Sequence, residues 1–342
     1  MIEAIPFKDK IEVFASLGEM IRTLDHDQQK ELIRRVQNQN NWFTETSILS
    51  ALKGISMLLD RDNLHKWLSH YSFPNNPNPK TVGILMAGNI PGVGFHDLLC
   101  VLASGHKAAI KLSSADSVFL SWMIDRLIQI EPGFESSIQM EEMLKAKDAY
   151  IATGSDNSAR YFSYYFGKYP SIIRSNRTSV AILTGEESDE DLEKLGWDIF
   201  LYFGLGCRNV SKIYVKTEDQ LQRLLGILDG FSWVASNHKY LNNYEYNKSI
   251  YLVNRDPHLD NGFLLLRESK DIVSPIGVLF YELYASEEIL LGELGQIEHK
   301  IQCVVGNANG AIGSVPFGTA QFPGPWEYAD HMDTMEFLLA LH

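Results

Sequence analysis

Three cysteines in 342 residues are too few for a disulfide framework, and none sits in a C-x-x-C pair or a Cys/His cluster with zinc-ligand spacing. No metal is expected, and a reducing, cytoplasmic setting follows from the same cysteine usage. No apolar run approaches the roughly 20 residues of a membrane span, so no integral membrane association is expected. The start, Met1-Ile2-Glu3-Ala4-Ile5-Pro6, has an early acid and lacks the apolar stretch of a secretory signal. Positive charge is scarce: 30 Lys and Arg stand against 43 Asp and Glu, a net charge of −13. With no basic stripe to neutralise phosphates, nucleic acid is excluded as a partner, as is docking on anionic lipid by charge alone. Internal repeats and low-complexity segments are also missing.

The chain does have enough apolar material for full cores, with 45% hydrophobic and 21% charged residues, and enough length for two domains. Residues 8 to 70 read as helices, because Ile11, Phe14, Leu17, Ile21 and Leu24 recur at helical spacing and a broad apolar band runs from Ile48 to Leu59. The stretch Pro74-Asn75-Asn76-Pro77-Asn78-Pro79 breaks that region. Short apolar strands then alternate with helical segments. Val82 to Met86, Ala108 to Leu112, Ala149 to Thr153 and Val180 to Leu183 read as strands; Phe95 to Ser104, Val118 to Ile130 and Ala159 to Phe166 read as helices. That alternation implies βαβ units, a largely parallel sheet and a ligand site at the carboxyl ends of its strands.

A second α/β stretch runs from about 186 to 310, with an acidic helix start (Asp189, Glu190, Asp191, Glu193) and strands near 212, 250, 277 and 301. The last 30 residues, rich in Gly, Pro and aromatics, read as an irregular arm. The expected division is 1–185 for N-terminal helices and a cofactor-binding domain, 186–315 for a catalytic domain, and 316–342 for an arm in oligomerisation and cofactor-domain contacts.

Cys207 lies in Phe203-Gly204-Leu205-Gly206-Cys207-Arg208, before the strand-like Lys212-Ile213-Tyr214-Val215. Glycines one and three residues before the thiol strip bulk from its approach and admit unusual backbone geometry. That suits a nucleophile an electrophile must reach. Cys100, within an apolar helix, and Cys303, within an apolar strand, read as small buried hydrophobes. His96, His106 and His238 come nearest in sequence, but no local signature joins any of them to a thiol. The aromatics of 161–166 and 200–203 read mainly as core, with an acyl pocket as the alternative.

Three strand ends carry polar or small residues. The first is Ala87-Gly88-Asn89-Ile90-Pro91-Gly92-Val93-Gly94, where Asn89 could donate its amide to a developing oxyanion or simply cap the strand. Position 97 is aspartate, so the G-x-G-x-x-G fingerprint is absent. The second is Lys111-Leu112-Ser113-Ser114-Ala115-Asp116, either a phosphate-holding set or a solvated strand end. The third is Thr153-Gly154-Ser155, which meets a helix start with Asp156 and Asn157 in its first turn, as an anion site or an ordinary cap.

The order Asn89-x-Pro91, Lys111-x-Ser113, Thr153-Gly154-Ser155, Gly204-x-Gly206-Cys207 and Pro316-Phe317-Gly318 resembles the aldehyde dehydrogenase superfamily. Within it, the chain is most similar to the acyl-CoA reductases that supply fatty aldehyde to bacterial luciferase. Asn41-Trp42-Phe43-Thr44 and the tail from Trp326-Glu327-Tyr328 to Glu336-Phe337 fit that branch. The resemblance implies two Rossmann-like α/β domains with parallel-rich sheets, N-terminal helices, a C-terminal oligomerisation arm and a homodimer. It assigns Cys207 as nucleophile and Asn89, with the backbone N–H of Cys207, to the oxyanion. Lys111 would bind the adenosine ribose of a nicotinamide cofactor, with Thr153, Gly154 and Ser155 at its pyrophosphate. Ser114 stands where many NAD-dependent members have a glutamate, which favours NADPH over NADH; Asp271 is aligned with a second ribose ligand. Ile173 falls where the superfamily's general-base glutamate would be. A hydrolytic enzyme needs that base to activate water against its acyl-enzyme, whereas a reductase does not. The expected activity is therefore NADPH-dependent reduction of a fatty acyl-CoA to the aldehyde. The same thiol chemistry on an acyl phosphate or acyl-AMP, aldehyde oxidation, and a non-catalytic nucleotide-binding module are the alternatives.

Overall fold

A computed structural model describes residues 7–74, 78–306 and 313–341. The chain divides into two compact units, Met1–Asn176 with Pro323–His342, and Arg177–Phe322. Residues 75–77 of the proline-rich breaker and the start at 1–6 fall outside the described residues.

The first unit opens with four helices: α1 (Phe7–Arg22), α2 (His26–Gln39), α3 (Glu45–Leu58) and α4 (Arg61–Leu68). Short polar side chains satisfy the orphaned N–H groups at their starts. The Asp25 carboxylate accepts from the Gln28 N–H at 2.9 Å, and Gln28 returns the bond to the Asp25 N–H, a capping box. Thr44 and Asp60 cap α3 and α4. The apolar stripes of these helices bury Phe14, Leu17, Val36, Ile48, Leu59 and Trp67 in one core.

Next come β1 (Thr81–Leu85), α5 (Phe95–Ser104), β2 (Lys107–Lys111), α6 (Ser117–Ile130), β3 (Ile138–Met140), β4 (Ala149–Thr153), α7 (Asp156–Phe166) and β5 (Ser171–Arg174). The sheet order is β3-β2-β1-β4-β5, parallel throughout. β1 pairs with β2 on one side and β4 on the other, with Val82 opposite both Ala108 and Ala149. Connections therefore leave in opposite directions from β1 and β4, and the crevice outside their carboxyl ends is the topological switch point. α5 is apolar on nearly every side and buried along its length, ending at Gly105 with a left-handed φ of 91°.

The second unit contains β6 (Thr178–Ile182), α8 (Asp189–Phe200), β7 (Val210–Val215), α9 (Asp219–Leu228), α10 (His238–Asn254), β8 (Leu259–Asp260), β9 (Leu265–Glu268), β10 (Val278–Leu283), α11 (Glu287–Gln296), β11 (Ile301–Val305) and β12 (Ser314–Val315). Its sheet runs β12-β11-β6-β7-β10-β9-β8, and only the β8–β9 pair is antiparallel. The acidic run around Asp189 is the first turn of α8, capped by Ser188. The fold class is thus α/β with parallel-rich sheets and N-terminal helices, as expected.

Three local expectations fail. The strand near 250 is the end of α10: Tyr240, Tyr244, Asn247 and Tyr251 are buried at helical spacing, and Asn237 caps the start. Its tyrosines and Ile250-Tyr251-Leu252-Val253 have strand propensity, but burial of one face at helical spacing over a 17-residue segment overrides it. The final stretch is not wholly irregular, because α12 (Thr334–Leu339) buries Met335 and Leu338 completely in the first core. The Tyr328 hydroxyl accepts from the Trp67 indole N–H at 2.7 Å. Six helical residues among prolines and glycines are too few to show a period. Tyr161, Tyr164 and Tyr165 of α7 are exposed rather than core residues, while Phe200 and Phe203 are buried. Among the described residues, no helix is long and apolar enough to cross a membrane.

Candidate active site

Because the first sheet is parallel, Asn89, Lys111, Ser113, Ser114, Thr153, Gly154 and Ser155 all fall at or just beyond its carboxyl edge. Asn89 is exposed on the loop after β1. That loop is held against the loop after β2. Asp116 accepts from the Gly92 N–H at 2.8 Å, and Gly92 turns with φ 72°. Gly88 packs so closely that an added Cβ would lie 2.4 Å from the Ser113 hydroxyl oxygen. Glycine at 88 is thus required by close approach. Asp116 is fully buried with no cation beside it among its hydrogen-bonding partners, and burial pushes its carboxyl up to about 8. Its second oxygen has no partner. Lys111 and Ser114 are exposed, and Ser155 caps α7 by accepting from the Ser158 N–H.

The aspartate at 97 that breaks the glycine fingerprint has a different task. Its carboxylate takes both oxygens to one Arg174 nitrogen, at 2.8 and 2.7 Å, and both residues are buried. The same guanidinium donates to the Thr334 hydroxyl of α12 at 2.7 Å. Arg174 thereby ties α5, β5 and α12 together. Its neighbour Ile173 is half-buried.

In the second unit the Cys207 turn leaves α8 through Phe203 and Gly204, both left-handed with φ of 57° and 77°. For phenylalanine that conformation is strained. The ring compensates by burial, packed on Trp233 and Tyr240. Long-range side chains then pin the turn. Asn209 accepts from the Gly206 N–H at 2.9 Å and donates to the Asp198 and Ile199 carbonyls. The Ser179 hydroxyl of β6 donates to the Cys207 carbonyl at 3.0 Å. Gln321 donates to the Arg208 and Asp198 carbonyls. Asp198, fully buried, accepts from the Gly318 and Ala320 N–H groups at 2.6 and 3.1 Å, and burial pushes its carboxyl up to about 7.

Cys207 is partly exposed, whereas Cys100 and Cys303 are buried. Burial pushes the Cys303 thiol up to about 11 and raises the Cys100 thiol well above its ordinary range. Of the three, only Cys207 combines exposure with a glycine-necked turn. Asp271 is exposed, on a loop drawn to the start of β7 by the Ser211 hydroxyl, which donates to the Ile272 carbonyl. His106 is committed in the first core, accepting from the Lys80 N–H at Nδ1, so its Nε2–H donates to the Leu338 carbonyl. Among the described residues, no group of three or more His, Cys, Asp or Glu is gathered to hold a metal.

No family model and no curated protein matches the sequence. Solved structures do match in fold. An aldehyde dehydrogenase of Mycobacterium tuberculosis complexed with NAD+ superposes with a TM-score of 0.59 at 13% identity, covering 84% of this chain and 70% of that one. A betaine aldehyde dehydrogenase of Staphylococcus aureus, also in complex with NAD+, gives 0.65 at 11% identity over 91% and 75%. An oxidoreductase of Marinobacter aquaeolei gives 0.66 at 12% identity over 94% and 80%. The fold is that of the aldehyde dehydrogenases. In this chain's version of the aldehyde dehydrogenase fold, the carboxyl edge of the first sheet fits a dinucleotide. It offers the switch-point crevice, the α7 N-terminus and the Lys111 charge, with no carboxylate at 114.

Asp198, Ser179, Asn209 and Gln321 were missed from the sequence, although Asp198 left a signal: it is a lone carboxylate inside the apolar run from Trp197 to Phe203. Asp116 and Asp97 have no legible role in the sequence, because it is supplied only by partners distant in the chain, the Gly92 N–H and Arg174.

Proposed function

We propose that this chain is an NADPH-dependent acyl-CoA reductase that works through an acyl-Cys207 thioester. One observation carries the reading: within an aldehyde dehydrogenase fold, Cys207 is the part-exposed thiol on a strained, braced, glycine-necked turn, and the other two thiols are buried. The direction of reaction rests on Ile173, whose half-buried apolar side chain cannot activate water.

The Cys207 thiolate attacks the thioester carbonyl carbon; the new S–C bond forms as the C–S bond to coenzyme A breaks and the leaving thiolate takes a proton. The backbone N–H of Cys207 is assigned to the carbonyl oxygen as charge develops, and the Asn89 amide is assigned the same task. When bound, NADPH supplies the hydride that reduces the acyl carbon. The carbonyl electron pair then rests on oxygen as an alkoxide on the Cys207-bound carbon; it re-forms the C=O as the C–S bond breaks, and aldehyde leaves with the thiolate restored. Lys111, Ser113, Thr153, Gly154 and Ser155 are the residues proposed to hold the cofactor, with Asp271 a further ribose ligand. Ser114 supports NADPH, since a neutral hydroxyl does not repel a 2′-phosphate. A homodimer in a reducing, cytoplasmic setting goes with the same reading.

The named function of the structural neighbours favours one competitor, aldehyde oxidation. The deciding experiment measures NADPH oxidation across acyl-CoAs of increasing chain length, NADP+ reduction with the matching aldehydes, and the mass of acylated Cys207. Cys207→Ala is expected to lower acyl-CoA-dependent NADPH oxidation by about 1000-fold or more. Near wild-type turnover in that variant, or turnover only in the oxidative direction, would overturn the proposal.

A further inference from the structure

An aspartate at the start of a helix ordinarily spends its side chain on that helix, accepting from one of the unpaired N–H groups of the first turn. Asp116 stands immediately before α6, yet its carboxyl makes no bond to the helix it precedes. It turns instead to the loop after β1, where Oδ2 accepts from the Gly92 N–H at 2.8 Å. The other oxygen, Oδ1, is buried without a hydrogen-bond partner, and the residue is 0% exposed. A helix cap is forgone, and a polar oxygen left unpaired, for one bond between two loops. Buried polar atoms are nearly always paired, so the exception calls for an explanation.

The loop that Asp116 meets carries Asn89. Gly88 and Gly92, on either side of Asn89, both lie against the aspartate: Gly92 donates to it, and an added Cβ on Gly88 would come 3.2 Å from the Asp116 Cβ. On its other side, the Asp116 N–H donates to the Ser113 carbonyl at 3.1 Å, in the turn that follows Lys111. Phe119 of α6 and Ile55 of α3 close the space around Gly92, where an added Cβ would meet them at 2.7 and 2.9 Å. No charged side chain acts on the carboxyl: burial raises it, and only the Gly92 N–H opposes the rise. Lys111, the nearest cation along the chain, is exposed at the end of β2, and Asp97 of α5 is taken by Arg174. A carboxylate here would be a buried charge held by a single N–H, whereas the acid leaves only a neutral hydroxyl unpaired, which costs far less.

We propose that Asp116, as the neutral acid, is a positioning residue that fixes the Asn89 loop against the turn after Lys111, and that its ionisation frees that loop and loosens the cofactor edge. An ionised carboxyl gains by reaching water, and it reaches water only by parting from Gly88 and Gly92. Asp116 lies buried behind the loop, so it acts through the placement of Asn89 and of the Lys111 turn. The cofactor half of the inference rests on the reading that this edge holds NADPH. The carboxyl is raised from 3.8 to about 8 when the loop is closed. The stability it lends to the closed loop is therefore fully present below about pH 4 and is lost as pH rises through about 8.

The test follows amide hydrogen exchange of residues 86–94 by mass spectrometry in the wild-type protein and in Asp116→Asn, with each rate divided by the free-amide rate at the same pH. Asparagine keeps an acceptor for the Gly92 N–H and has no proton to lose. Wild-type protection is expected to fall by about 10-fold per pH unit between pH 5 and pH 7, the slope of one proton, while the variant stays flat. NADPH titration by tryptophan fluorescence is expected to show affinity falling by about 10-fold between pH 6 and pH 8 in the wild type relative to Asp116→Asn. Lys111, Cys207 and the cofactor phosphate are common to both proteins, so slopes they cause cancel in that ratio. Wild-type protection with no pH slope, or the same slope in both proteins, would overturn the inference. A slope in protection with a constant affinity ratio would overturn its cofactor half. NADPH binding by neither protein at any pH would remove the cofactor reading of this edge, and the exchange rates would still decide whether Asp116 fixes the loop.

Discussion

The carboxyl edge of the first sheet and the Cys207 turn are held by different means. At the sheet edge, most residues of interest are fixed by neighbours close in sequence or by the next strand's loop. Ser155 caps a helix that starts one residue later, and Ser113 packs on Gly88 of the adjacent loop. The Cys207 turn instead depends on Ser179, 28 positions before it, and on Gln321, 113 positions beyond Arg208. The electrostatics differ in parallel. Asp97 is buried beside a cation, Arg174, whereas the buried Asp198 carboxylate accepts from the Gly318 and Ala320 N–H groups. Burial drives the Asp198 carboxyl toward its neutral form. The Cys207 turn is thus braced from afar, while the strand edge needs little beyond its own sequence.

Breaking the paired charge is expected to give the largest loss of stability. Arg174→Leu leaves Asp97 buried without its cation and should cost about 3–5 kcal/mol in denaturant melts. The double variant Asp97→Leu with Arg174→Leu should recover most of that, because no lone charge remains. If the double variant is as unstable as the single one, the two aspartates are not distinguished by pairing.

Asp198 should show itself through pH. The folded Asp198 carboxyl is raised to about 7 from an ordinary value of 3.8. The folded state therefore holds the proton more tightly than the unfolded chain. The stability this contributes is fully present below about pH 4 and is lost as pH rises through about 7. Asp198→Asn cannot ionise, so its deficit relative to wild type should shrink between pH 5 and pH 8, by an amount on the order of a few kcal/mol. A constant deficit across that range would place the shift elsewhere. The smallest effect belongs to the locally built edge: Ser155→Ala should cost about 1 kcal/mol through loss of the α7 cap, with the alkylation rate of Cys207 unchanged.

The elements that could be read directly were those whose pattern is periodic and long. The helix Phe95–Ser104 and the strand Ala149–Thr153 match their expected limits, since a helix buried all round and a buried central strand are apolar throughout. The strand expected near 250 and the tail near 334 were misread where propensity or composition competed with tertiary packing. The strand-end motifs were visible because glycine, serine and asparagine are punctuation in any chain. What holds them was not, because Asp116 is ordinary until Gly92 lies against it.

The sequence by itself determined the alternation of strands and helices, the parallel sheets that follow from it, and the rarity of thiols that singled out Cys207. These rest on local periodicity and composition, which need no partner to be expressed. Tertiary structure alone decided that Cys100 and Cys303 are sealed from solvent while Cys207 is not, that Asp97 meets Arg174, and that Asp198 is buried against the Gly318 and Ala320 N–H groups. Exposure and ionisation depend on what packs against a group, and those neighbours arrive from positions tens to hundreds of residues away.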